Sequence, residues 1–134
     1  MYILFDIGGT KTRVAASEDL RSYGEPVKFE TKLPFDEGIR AVIDAIDTVR
    51  GGKKVTAIAG GIRGPLNHEK TGIISEKKLV DWVGRPIVET LAQHFSAPVY
   101  LENDTAIVGL GEAVHGAGKG YNIVAYHTVS TGVG

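Results

Sequence analysis

An α/β fold, one mixed sheet with helices on its faces, is what the sequence predicts, and three observations carry the prediction. Apolar runs of strand length open the chain at residues 2–7, 12–17 and 26–32, with short polar or Gly-containing connections between them. Apolar residues at helical spacing follow over 35–49, and from there short buried runs alternate with helical patterns. Most of the eighteen glycines gather at 8–9, 51–52, 60–64, 109–120 and 132–134, so they punctuate these segments rather than dilute one linker.

Each element has its own signal. Tyr2 to Ile7 and Thr12 to Ser17 read as strands, and Pro26 to Lys32, with Val27, Phe29 and Thr31 alternating, as a weaker third, which together make an antiparallel meander. Phe35, Ile39, Val42, Ile43, Ile46 and Val49 share one helical face, opened by Asp36 as N-cap and stopped by Gly51-Gly52. Val55 to Ala59 is a short buried strand, and residues 60–80 are irregular. Pro86 at a first helical position leads Ile87, Leu91 and Phe95 along one face, and Pro98 to Leu101 is the next strand. Ile107, Leu110 and Val114 share a face of a helix starting near Asn103, and Asn122 to Val129 reads as a last strand. The expectation is a five-stranded mixed sheet, three antiparallel strands and then parallel ones, with helices on its faces.

Composition narrows the function classes. A chain of 134 residues, 43% hydrophobic and 23% charged, has the make-up of one ordinary globular domain. A net charge of −1 provides no basic field for nucleic acid or an anionic membrane surface, so a small-molecule partner is expected. Without cysteine there is neither a disulfide framework nor a thiolate metal site. The apolar opening Met1-Tyr2-Ile3-Leu4-Phe5 lacks a basic flank and is interrupted by Asp6, which argues against a signal peptide or membrane span and for a cytoplasmic protein. His68, His94, His115 and His127 show no ligand spacing, Trp82 reads as core, and Glu76-Lys77-Lys78 reads as a solvated face beside a Gly-rich loop.

Three stretches carry chemistry. "FDIGGTKTR", residues 5–13, has the small residues and lysine of a phosphate cradle, yet no helix follows it, so it is neither a Walker loop nor a dinucleotide fingerprint. It is a hairpin whose turn, Gly8-Gly9-Thr10-Lys11, offers backbone N–H groups, a hydroxyl and an ammonium to an anion; the same residues also serve an ordinary hairpin. "YHTVSTGVG", residues 126–134, repeats the layout: an apolar strand, a hydroxyl residue, a Gly-rich turn. A repeated strand and phosphate turn, one domain length apart, resembles the actin-like ATPases, in which two related lobes close on a nucleotide. Between them, "LENDTAIVGLGEA", residues 101–113, places Asn103-Asp104 where a strand ends and a helix begins. That is where open α/β sheets bind ligands and where a carboxylate accepts a hydroxyl proton, and it is equally where Asn and Asp cap helices.

Taken together these stretches resemble the ROK (repressor, open reading frame, kinase) family of bacterial sugar kinases. "DIGGTKTR" matches its first phosphate motif, "GGIRGPLN" its sugar loop, "LENDTAIVGLGE" its catalytic motif and "STGVG" its second phosphate motif, in the family's order. The resemblance implies an actin-like ATPase, ribonuclease H-like lobe that phosphorylates a hexose or N-acetylhexosamine hydroxyl with ATP and Mg²⁺. It makes Asp104 the general base and Asn103 a sugar ligand, with Gly61 and Gly64 lining the sugar pocket. Asp6 then positions the magnesium through water; Gly8, Gly9, Thr10 and Lys11 face the transferred phosphate, and Ser130, Thr131, Gly132 and Gly134 cradle phosphates from the other side.

The chain departs from the family pattern where the sugar sits. Arg63 stands for the usual proline of Gly-Ile-Pro-Gly, Lys78-Leu79-Val80-Asp81-Trp82 replaces Asn-Leu-x-Gly-Trp, and Ala106 stands for a second asparagine. The family's chains are also longer, the remainder holding the rest of the nucleotide lobe, a Glu-x-Gly-His sugar motif and often a Cys-rich zinc motif. The expectation is therefore residues 1–119 as an amino-terminal actin-like lobe and 120–134 as the first strand and phosphate turn of a truncated second lobe, inactive alone and pairing into a homo-oligomer. Two rival readings are a non-catalytic sugar sensor of the same family and a ribonuclease H-like metal nuclease. An early Asp6 leaves no room for a preceding DNA-binding unit, and near-neutral charge disfavours the nuclease.

Overall fold

The computed structural model describes residues 1–129. Along them run β1 (Tyr2–Ile7), β2 (Lys11–Ser17), β3 (Val27–Glu30), α1 (Phe35–Arg50), β4 (Ala57–Ile62), α2 (Ile87–Phe95), β5 (Val99–Asn103) and α3 (Asp104–Val114), with a single 3₁₀ turn at Val80–Trp82. The strands form one sheet of order β3-β2-β1-β4-β5. β1, β2 and β3 pair antiparallel, while β1 with β4 and β4 with β5 pair parallel, which is the mixed sheet the sequence predicts.

Burial follows the period of each element. In β1, Ile3, Phe5 and Ile7 are buried and the residues between them only half-buried. The buried set meets Ile39, Val42 and Ile46 of α1, Ile58 and Ile62 of β4, and Ile87 and Leu91 of α2 in one core. The face of β1 to β3 opposite α1 is open, forming a trough of about 860 Å³ lined by Leu4, Asp6, Arg13, Tyr23 and Lys28 among others. Among the described residues no helix is long and apolar enough to cross a membrane.

Three local expectations are corrected. α1 begins at Phe35 after Pro34 and has no side-chain cap of its own, so Asp36 lies in the first turn rather than at the cap. The first helical N–H is satisfied from a distance: Asp81 Oδ2 accepts from Phe35 N at 2.8 Å. β4 runs from Ala57 to Ile62, through the Gly60-Gly61 pair that reads as the start of a loop, because it is hydrogen-bonded to β1 on one side and β5 on the other. No strand occupies residues 122–128; they lie against α3, Tyr126 over Gly109 and Val124 over Gly118, with no ladder partner among the described residues. α3 buries no residue fully, and Leu110 and Val114 are 62% and 48% exposed, since the helix touches β4 and β5 mainly through its first turns.

Trp82 ties the irregular segment to the core. Its ring is fully buried, meets Phe35 edge-on with centroids 5.1 Å apart, and its indole N–H donates to the Lys32 carbonyl at 3.2 Å. Gly38 of α1 makes room for it: a Cβ there would lie 2.2 Å from Trp82 Cζ2. Gly38→Ala is therefore expected to destabilise the fold by about 1–3 kcal/mol through overpacking. The check is urea unfolding, in which the midpoint should fall while the slope stays constant.

Candidate active site

The parallel registers decide what meets at the carboxyl ends of the strands. Asp6 of β1 is level with Gly61 of β4 and Glu102 of β5, and one step on Ile7 is level with Ile62 and Asn103. Three connections therefore leave the same edge of the sheet: the turn 8–10, the loop starting at Arg63, and the Asn103-Asp104 junction. This is the edge at which parallel sheets bind ligands.

The first turn is rigid and partly committed. Gly8 N–H donates to the Lys11 carbonyl at 3.0 Å, and a Cβ on Gly8 would sit 2.9 Å from that same oxygen. The Gly8 carbonyl accepts from Thr31 Oγ1 at 2.8 Å, and Thr31 is bonded in turn to Thr12 Oγ1 at 2.9 Å. Gly8 thus spends its N–H inside the hairpin. The N–H groups of Gly9 and Thr10 have no partner among the described residues, and the Thr10 and Lys11 side chains are exposed.

The Asn103-Asp104 junction is held from both sides. Asn103 caps α3, its side-chain oxygen accepting from Thr105 N at 3.1 Å and Ala106 N at 3.2 Å, while its Nδ2 donates to the Gly64 carbonyl at 3.0 Å. One residue thus caps the helix and tethers the loop after β4, and its second Nδ2 hydrogen has no partner among the described residues. Asp104 Oδ1 accepts from Thr105 N at 2.8 Å, and Oδ2 has no partner among the described residues. Gly61 lets the helix approach: a Cβ there would be 3.1 Å from Asp104 Cα and 3.3 Å from Ile107 Cγ2. Gly64, at φ +108°, takes a backbone conformation that L side chains rarely adopt, and its Cβ would press on the Ser75 carbonyl at 2.9 Å.

Asp6 and Asp104 line one cleft of about 410 Å³ with Gly61, Thr105 and Tyr126. Arg13, directly across the hairpin from Asp6, pairs with it at 3.3 Å. Sequence reading missed this arginine, although counting outward from the turn pairs it with Asp6. Burial pushes the Asp6 carboxyl above its ordinary value; Arg13 opposes this and the Asp104 charge adds to it. Among the described residues no cluster of three His, Cys, Asp or Glu side chains is placed to hold a metal directly. Two carboxylates that repel across a cleft do suit a cation that arrives on phosphate oxygens and meets them through water.

Glu112 closes the far end of α3, its Oε2 accepting from Ala117 N at 3.0 Å. Ser130, Thr131, Gly132 and Gly134 lie outside the described residues. Arg63 and Lys78 converge over Gly9, a meeting that local sequence does not signal.

Comparison with known proteins gives consistent likenesses. A family model described as the ROK family matches residues 2–134. A glucokinase of Streptomyces coelicolor is 28% identical over 129 residues, covering 96% of this chain and 40% of its own. An N-acetyl-D-glucosamine kinase of Histophilus somni is 31% identical over 139 residues, covering 100% of this chain and 44% of its own. The crystal structure of a ROK family glucokinase from Streptomyces griseus, in complex with glucose and AMPPNP, superposes with a TM-score of 0.86 at 27% identity over 99% of this chain and 42% of that one. The chain thus spans less than half the length of the curated relatives it matches.

The electrostatics predict an unusual sign for Asp6. A carboxyl whose folded value lies above its unfolded one stabilises the fold at pH below the ordinary aspartate range, and that contribution is lost as pH rises through the folded value. At neutral pH Asp6→Asn is expected to be at least as stable as the parent in urea titrations, despite losing the Arg13 pair. Asp104→Asn should lower the Asp6 titration midpoint followed by carboxyl NMR; an unchanged midpoint would mean that the two groups do not sense each other.

Proposed function

The chain belongs to the ROK family, and we propose that it forms the base-bearing lobe of an ATP-dependent sugar kinase that phosphorylates a hydroxyl of a hexose or N-acetylhexosamine. The observation that carries this reading is the meeting of Asp6 and Asp104 in one cleft beside the Gly8-Gly9 turn, at the carboxyl ends of parallel strands. The named relatives support it by their own activities: a glucokinase and an N-acetyl-D-glucosamine kinase match 96% and 100% of this chain.

In this reading each residue has a definite task. Asp104 Oδ1 is pinned by the Thr105 N–H, which aims the free Oδ2 at the acceptor hydroxyl. As the hydroxyl oxygen attacks the terminal phosphorus of ATP, its proton passes to Oδ2, the bond from phosphorus to the bridging oxygen breaks, and ADP leaves. Asn103 donates its remaining Nδ2 hydrogen to the sugar, and Gly61 and Gly64 shape the floor beneath it. The free N–H groups of Gly9 and Thr10, the Thr10 hydroxyl and the Lys11 ammonium face the transferred phosphoryl group, where a turn that is already rigid adds stabilisation without reorganisation. Mg²⁺ would supply charge neutralisation at the phosphates, and Asp6 is the residue that would hold it. Ser130, Thr131, Gly132 and Gly134 complete the phosphate cradle. Residues 1–119 form the lobe and 120–134 begin its counterpart; the protein works in the cytoplasm on sugar and ATP, without nucleic acid or membrane, as a homo-oligomer.

Two measurements test this. Phosphate transfer from ATP to a panel of hexoses and N-acetylhexosamines, by the whole protein containing this chain, should show turnover on one of them, and Asp104→Asn should lower kcat by about 10²–10⁴-fold. Turnover unaffected by that substitution would overturn the assignment of the base. Light scattering should show a dimer or larger species at high concentration; a monomer throughout would remove the oligomer from the reading.

A further inference from the structure

The loop after β4 is held by a carboxylate that belongs to a separate segment of the chain. The Glu76 side chain is only 11% exposed, and its Oε1 lies 3.1 Å from the buried Nε of Arg63. The same oxygen accepts from Lys77 N at 2.9 Å and Lys78 N at 3.1 Å, so one atom ties the Arg63 side chain to the backbone at Lys77-Lys78. Burial pushes the Glu76 carboxyl up, but the Lys78 N–H, the Arg63 guanidinium and the Lys77 N–H outweigh it and hold the group below the usual glutamate range. The segment that carries Glu76 is anchored in turn, because Leu79 and Trp82 just beyond it are fully buried.

What this carboxylate seats is Gly64. A Cβ there would lie 2.9 Å from the Ser75 carbonyl, 3.4 Å from Glu76 Cβ and 3.6 Å from Glu76 Oε2, so Gly64 packs directly on the Ser75-Glu76 pair. On its other side the Gly64 carbonyl accepts from Asn103 Nδ2 at 3.0 Å. Arg63 N–H donates to the Ile7 carbonyl at 3.0 Å, which fixes where the loop leaves the sheet but not how it turns next. Glycine does not restrain its own backbone, and Arg63, standing where the family usually has proline, does not restrain it either. The restraint therefore comes from packing, and Glu76 supplies it. Asn103 depends on the outcome: its side-chain oxygen is fixed by the Thr105 and Ala106 N–H groups, so the Gly64 carbonyl decides how the amide turns about that oxygen and where its second Nδ2 hydrogen points.

We propose that Glu76 is a positioning residue for the sugar: through Arg63 and by direct packing it holds Gly64, and the Gly64 carbonyl in turn aims the Asn103 amide. This rests on the kinase reading given above, in which Asn103 donates to the acceptor, and adds to it a residue that touches neither substrate. Its effect falls on the sugar and not on ATP, because the Gly8-Gly9 turn is held by bonds of its own, to Lys11 and Thr31.

The test is a double-mutant cycle in the whole protein, with Glu76→Ala and Asn103→Ser made singly and together. Serine still caps α3 but lacks the amide that reaches Gly64. Three quantities are read with glucose and with N-acetyl-D-glucosamine: the KM for the sugar, the KM for ATP, and the calorimetric Kd for the sugar without ATP. Glu76→Ala is expected to raise the sugar KM and Kd by about tenfold, to leave the KM for ATP within about twofold, and to add less than about twofold once Asn103 is serine. Glu76→Gln keeps an oxygen for the two N–H groups but no charge for Arg63, so it should fall between parent and alanine; it also carries the test if the alanine variant, checked by its urea midpoint, does not fold. A sugar KM that stays put, a rise shared by ATP, or the same rise in both Asn103 backgrounds would overturn the proposal while leaving the kinase intact. No transfer to either sugar, with Asp104→Asn indistinguishable from the parent, would remove the kinase reading, and the Kd cycle would still decide whether Glu76 acts through Asn103. Absence of sugar binding as well would overturn both.

Discussion

The site depends on the parallel pairing of β4 with both β1 and β5. Parallel strands point their carboxyl ends the same way, and here that puts Asp6, Gly61 and the Asn103-Asp104 junction along one edge. The pairing in turn depends on two adjacent glycines. At Gly60 a Cβ would collide with the Phe5 carbonyl at 2.3 Å and the Phe5 ring at 2.5 Å, and at Gly61 it would press on the start of α3. Ordinary strands are weakened by glycine; this one uses it to let a neighbouring ring fold over one face and a helix lie close on the other. Asp104 reaches the cleft because β4 has no side chain in its way.

Electrostatic tension is concentrated at the same edge. Burial and the Asp104 charge disfavour ionisation of Asp6, Arg13 partly relieves this, and Lys78 over the Gly9 turn has no ion-pair partner among the described residues. Elsewhere carboxylates are satisfied in ordinary ways. Glu102 is held below the usual range by Lys70, with help from the Asn103 N–H, and Asp19 by backbone N–H groups of its own turn. The contrast separates groups that serve the fold from groups left poised for a ligand.

Much of this was legible in the sequence. The periodicity of Phe35 to Val49, the strand at Tyr2 to Ile7 and the helix beginning at Asn103 follow from local patterns that tertiary packing did not overrule. What local patterns could not show were arrangements set by distant partners. Asp81 takes over the cap of α1 from forty-odd residues away in the chain, which is why Asp36 was the natural but mistaken choice. β4 passes through two glycines that read as loop because its ladders on both sides fix it. The extended run at 122–128 looks like a strand in isolation, yet a strand exists only as part of a ladder, and this run lies on α3. At the candidate site, the position of Asn103-Asp104 between a strand and a helix was legible from residue type, whereas Arg13 needed the hairpin register, and the convergence of Arg63 and Lys78 needed the folded loop.

The burial of Trp82 has an optical consequence. It is the chain's single tryptophan and is sealed from water, with its N–H committed to the Lys32 carbonyl and its ring edge-on to Phe35. The segment it anchors continues backward through Leu79, also fully buried, to Lys78. Its emission is therefore that of an indole in an apolar setting, free of interference from a second fluorophore of its kind. Any rearrangement that lifts this segment from the core changes the colour and intensity of that emission, so the chain carries a native luminescent gauge on the wall beside its Gly8-Gly9 turn.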